Sequence, residues 1–176
     1  MPVVSADGLP LAPCDLDAAE RLWSDYAAAR PGNVEACLEH VVDRIGDQLP
    51  LVDELLTLII DGRKRATCGL VADYVAAGDP LPRVGGHLII CDGAGAPRAI
   101  LRSIELRIGP FNSVDASFAY DEGEGDRTLE SWLAGHRRFF DRVSATRGAT
   151  WSEDDEAIFE RFDVVWPPEL ADRSRR

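Results

Sequence analysis

Three side chains in the middle of the chain have the types and spacing of a hydrolytic site. Lys64 and Thr67 lie in the stretch Gly62-Arg63-Lys64-Arg65-Ala66-Thr67, and Glu105 lies further on between Ile104 and Leu106. Lys64 is the one lysine among 19 Lys and Arg residues. Arginine stays protonated at any accessible pH and cannot act as a base, whereas lysine can lose its proton when buried or set beside other cations. Arg63 and Arg65 flank it. Lys64 therefore reads either as a general base or as a lysine that escaped a coding bias towards arginine. Were the chain helical here, Thr67 would share a face with Lys64, and an amine beside a hydroxyl can activate it as a nucleophile. The other reading makes Thr67 the N-cap of a helix starting near Cys68. Glu105 would orient the amine or receive a proton, or it pairs with Arg107 as an ordinary strand charge.

Other candidates carry less. The acidic loop Asp121-Glu122-Gly123-Glu124-Gly125-Asp126-Arg127 lacks the ligand spacing of a calcium-binding hand and reads as a solvated turn entering a helix capped by Asp126 or Thr128. His40, His87 and His136 share no signature, and none is assigned chemistry. Trp132, Phe139 and Phe140 have core spacing. Gly93-Ala94-Gly95-Ala96-Pro97 has no following helix and is not a phosphate loop. Cys14, Cys37, Cys68 and Cys91 are scattered singly, which reads as buried thiols in a reducing compartment.

The elements that must position these residues follow from period and punctuation. Residues 1–14 read as an irregular leader. Apolar residues at helical spacing predict helices over 16–29, 33–46 with Asn33 as cap, and 49–62 closing at Gly62. A short helix over about 68–78 precedes a Pro-punctuated loop. Residues 87–91 and about 97–107 read as two strands joined by a Gly-rich turn, with Ile100, Arg102, Ile104 and Leu106 on one face of the second. Residues 111–127 read as irregular with one turn of helix. A helix over 128–145 carries Trp132, His136, Phe139 and Phe140 on its apolar stripe, and a last strand covers 157–167. Helices first, then strands, a helix and a strand predict an α+β fold.

The 176 residues suffice for one globular domain. No run is long and apolar enough for a membrane span, and the first residues lack the layout of a signal peptide, so a cytoplasmic protein is expected. The net charge of −12 argues against indiscriminate affinity for nucleic acid. Residues 62–107, however, hold seven Lys and Arg against four Asp and Glu, a locally basic stretch that reads as scatter or as an anion-attracting mouth.

The stretches 51–74, 81–140 and 159–166, above all Glu122-Gly123-Glu124-Gly125-Asp126-Arg127-Thr128-Leu129-Glu130 with the Trp132, His136, Phe139 and Phe140 that follow, resemble the long bacterial branch of the ASCH (activating-signal-cointegrator homology) domain family. The resemblance implies a small PUA-like β-barrel flanked by helices over residues 46–167, with a helical extension over 1–45 and a tail over 168–176. It also implies an association with RNA. Some members are ribonucleases, and a short branch are acetylcytidine amidohydrolases using a lysine, a threonine and a strand glutamate. Those roles fall on Lys64, Thr67 and Glu105, with Arg63, Arg65 and Arg102 as contacts to RNA. Single-stranded RNA or a modified nucleoside is the expected partner. No metal or organic cofactor is expected, and the N-terminal helices cover the barrel, form a homodimer contact or do neither. A non-catalytic RNA-binding module and a small-molecule or partner-protein sensor are the competing readings.

Overall fold

The computed structural model of the protein describes residues 11–172, so the first ten residues of the expected leader and the last four of the tail lie outside it. Helix α1 (Leu16–Ala29) starts where Asp15 accepts a hydrogen bond from the Ala18 amide, and it buries Ala19, Trp23 and Tyr26. The helix expected over 33–46 is not formed. A short α2 (Pro31–Ala36) ends at Cys37, and β1 (His40–Asp43) follows, paired in parallel with β3 (His87–Cys91). The β-branched pair Val41-Val42 suits a strand, and backbone pairing on the open side of β3 outweighs the helical spacing of the apolar residues.

Helix α3 (Leu49–Ile60) carries Pro50 in its first turn and buries Val52, Leu55, Leu56 and Ile59. Strand β2 (Ala66–Leu70) then leads directly into α4 (Val71–Ala77), which stops at Gly78 in the left-handed region. The expected helix near Cys68 is therefore a strand for its first part, and Thr67 caps nothing. Strand β4 (Pro97–Pro110) runs on to a single 3-10 turn, then α5 (Ala116–Glu122), α6 (Leu129–Thr146) and β5 (Glu156–Trp166).

The five strands form one mixed sheet in the order β1-β3-β4-β5-β2. The fold is α+β, as expected. The sheet is open, because β1 and β2 occupy opposite edges and do not pair with each other. The pairing of β4 with β5 shifts register between Ser103 and Glu105. The extra residue turns the strand by one position, so the strict alternation expected from Ile100 through Leu106 does not hold.

Alternation along β5 divides the core. Phe159 packs with Phe111, Phe118, Trp132 and Phe140 on the side of α5 and α6. Phe162 and Val164 point the other way and pack with Leu56 and Ile59 of α3. Helix α1 lays Trp23 and Tyr26 beside Ile89 and Ile100. No helix among the described residues is long and apolar enough to cross a membrane.

Candidate functional site: a buried lysine between two glutamates

Lys64 leaves the end of α3 through a tight turn in which Gly62 adopts φ +79°. The amides of Arg63 and Lys64 both donate to the Leu58 carbonyl at 2.9 Å, which ties the segment to the helix. The loop after α5 closes over it. Gly123 has φ +72°, and a Cβ there would overlap the Arg63 carbonyl oxygen and lie 2.7 Å from its carbon. Glycine at 123 is thus what lets the two backbones touch. The Arg65 amide donates to the Asp121 carbonyl at 2.8 Å, and Arg127 donates back to the Arg63 carbonyl at 2.7 Å. Thr128 caps α6, as the sequence allowed, and its hydroxyl is held by Asp126.

This framework drives the Lys64 ammonium between two carboxylates. Nζ donates to Glu122 Oε2 at 2.7 Å and to Glu124 Oε1 at 2.6 Å. On the far side of Glu122, Oε1 lies 3.5 Å from His136 Nε2. Side-chain exposure is 1% for Lys64 and 1% for Glu122 but 31% for Glu124, so Glu124 is the face the group turns to solvent. Burial by itself favours neutral lysine, yet Glu122 and Glu124 outweigh it and push Lys64 up to about 12. Burial also disfavours the Glu122 carboxylate, and here Lys64 and His136 win, holding it at about 2. His136 shifts upward because Glu122 overcomes its burial. Lys64 is therefore a fixed cation at neutral pH. The expectation of a lysine that gives up its proton rested on Arg63 and Arg65 as neighbours, but their guanidinium groups point to Gly125 and to Asp172 respectively.

The remaining expected residues sit elsewhere. Thr67 lies in β2 opposite Glu160, and alternation places it on the other side of the strand from Ala66 and Cys68. Glu160 bonds Ser103, and burial raises its carboxyl. Glu105 is 58% exposed and pairs with Arg161 at 2.6 Å, while Arg161 also holds Asp121 at 2.8 Å. Among the described residues neither Thr67 nor Glu105 bonds Lys64. Arg63 reaches the Gly125 carbonyl, and Arg65 is anchored to Asp172 at 2.7 Å. Arg102 stands across from His87 on β3 and Asp163 on β5.

Glu122, Glu124 and His136 offer ligand atoms within 4.8 Å of one another, a spacing that could admit a cation. The ammonium already occupies the space between the two carboxylates, so the donor set fits lysine better than a resident metal. Cys68 lies close enough to this group that, after burial, the Glu122 charge is what most raises its thiol. In the sequence a Glu-Gly-Glu-Gly run reads as a solvated turn, which hides Glu122 and Glu124, and His136 reads as one more residue on the face of the helix that carries Trp132. Glycine at 123 serves two ends, closing α5 in the left-handed region and leaving room for the Arg63 carbonyl.

The comparisons agree with this architecture. No curated protein matches the chain. Among solved structures, an ASCH domain from Lactobacillus crispatus JV V101 is similar with 28% identity and a TM-score of 0.78, over 86% of this chain and 96% of that one. A protein from Enterococcus faecalis V583 is similar with 31% identity and a TM-score of 0.74, over 85% and 89% of the two chains. The ASCH domain family model matches residues 42–166, which include the Lys64 turn, the Glu122–Glu124 loop and His136. With more than half of its length matched, the chain belongs to the ASCH domain family.

Proposed function

We propose that this ASCH domain binds RNA or a modified nucleoside at the mouth formed by Glu124, Arg63 and Arg127, and hydrolyses an acyl amide on the base. The carrying observation is the Lys64 ammonium, buried and charged, behind a single partly exposed carboxylate. A fixed cation in a water-poor site stabilises negative charge that develops on a carbonyl oxygen. In this reading Glu124 accepts a proton from the attacking water and the resulting hydroxide adds to the carbonyl carbon. Lys64 meets the charge on oxygen. Collapse then breaks the carbon–nitrogen bond, and Glu124 returns its proton to the departing amine. The carboxylate role expected of Glu105 passes to Glu124 and Glu122, and Thr67 has no step. Arg63 and Arg127 contact phosphate.

The burial of Lys64 favours a second reading, a binding module in which the ion pairs only hold the cleft together. Mass spectrometry of a short acetylcytidine-containing RNA, incubated with wild type and with Glu124→Gln, separates the two. Loss of an acetyl mass with wild type alone supports the hydrolase. Strand fragments would assign ribonuclease chemistry instead, and unchanged RNA from both proteins leaves binding alone.

A further inference from the structure

His136 sits two turns into α6 with its ring stacked on Trp132, centroids 3.8 Å apart at 17°. Its Nδ1 lies 3.0 Å from the Trp132 carbonyl oxygen. A carbonyl oxygen only accepts, so Nδ1 carries a hydrogen. On the other side Nε2 faces Glu122 Oε1, which among the described residues has no hydrogen-bond donor. The second oxygen of that carboxylate already accepts from the Lys64 ammonium. A proton shared by Nε2 and Oε1 therefore belongs on the imidazole, because the adjacent ammonium favours the ionised carboxylate. The groups facing the ring are then Glu122 from the end of α5, Glu124 from the loop after it, Lys64 from the turn after α3, and Trp132 and Phe140 on its own helix.

We infer that His136 is a positioning residue, an imidazolium that holds Glu122 on Lys64 and so makes Glu124 the displaceable member of a charge-balanced quartet. Two cations and two carboxylates sum to zero when the mouth is closed. When Glu124 turns out to solvent, Lys64, His136 and Glu122 leave one net positive charge facing the opening. That charge suits an oxyanion, supplied by an RNA phosphate or by the oxygen of a substrate carbonyl under attack. Deprotonating His136 would erase it. Binding of an oxyanion should therefore weaken as pH rises through the His136 transition. This inference rests on the proposed function for its ligand, but the charge on His136 stands independently of it.

The test has two arms. Nitrogen NMR of histidine-labelled wild type, with His136→Gln used to assign the signal, reads the ring directly. Both ring nitrogens are expected to stay protonated at about pH 7, above the ordinary histidine midpoint near 6.5; a neutral ring there overturns the inference. The second arm measures affinity for a short single-stranded RNA from about pH 6 to 9 by fluorescence anisotropy. Wild type should lose several-fold more affinity across that range than His136→Gln. Identical profiles overturn the positioning role even if the ring is charged. Absence of any RNA binding by wild type defeats the proposed function, and the NMR arm still decides the charge of His136.

Discussion

Replacing Lys64 by methionine keeps the length of the side chain and removes its charge. The variant leaves Glu122, fully buried, with His136 at 3.5 Å as its one remaining counter-charge. Glu124, with 31% of its side chain exposed, can turn to water, so most of the penalty falls on Glu122. Removing one partner of a buried pair destabilises by about 3–5 kcal/mol. For a chain of this size each kcal/mol lowers Tm by about 2–4 °C, which predicts a fall of roughly 6–20 °C. Thermal unfolding reads the fall in Tm, and urea unfolding of wild type, Lys64→Met, Glu122→Leu and the double variant Lys64→Met with Glu122→Leu reads the free energies. The double variant should recover a large part of the loss, because an apolar pair of similar volume needs no counter-charge. The sign with pH also follows. In Lys64→Met, burial raises the folded pKa of Glu122, and a carboxyl more basic in the folded state gains stability on acidification. The gap to wild type should then narrow between about pH 7 and 5. A loss under about 1 kcal/mol, or a double variant whose loss is the sum of the singles, would refute the reasoning.

Other expectations follow from neighbouring features. Gly123→Ala forces a left-handed residue against the Arg63 carbonyl and should lose more than about 1 kcal/mol, together with the ordering of Glu122 and Glu124; urea unfolding and nucleoside binding read both effects. Glu105→Gln removes an exposed pair with Arg161 and should change stability by less than about 1 kcal/mol while leaving any hydrolysis intact. A large loss of turnover in that variant would restore Glu105 to the site. Tyr26→Phe takes one partner from His87 at 3.2 Å and one from Asn33 at 3.1 Å, and should destabilise by about 1–3 kcal/mol in thermal unfolding. Since the folded pKa of His136 is raised, its contribution to stability is complete below about pH 6.5 and is lost as pH rises through its folded value. Wild type should consequently lose more stability than His136→Gln on going from neutral to alkaline pH.

Much of the fold was legible because long periodic segments state their own type. Helices α1, α3 and α6 and the strands around 87–107 and 157–166 formed where the pattern put them. The failures fall where backbone pairing decides. Val41 fits a helical stripe with Val34, Leu38 and Ile45 equally well, and only the open side of β3 makes it part of a strand. Lys64 and Thr67 looked like neighbours because a helical turn was assumed between them; β2 is extended there. The site divided in the same way. Lys64 stands out by its rarity, but its carboxylates come from the end of α5 and the loop after it, 58 and 60 residues away, and no local spacing carries that information. Glycine at 123 carries no such information either, because the left-handed end of α5 already accounts for it.

The central claim is that Lys64 is a permanently charged ammonium rather than a base. Its being the one lysine makes the claim directly measurable, since lysine labelled with carbon-13 and nitrogen-15 gives a single side-chain Nζ signal. An ammonium signal is expected, protected from solvent exchange, that does not titrate up to about pH 10.4, the ordinary lysine midpoint. A midpoint below that value would return the proton to play and contradict the account.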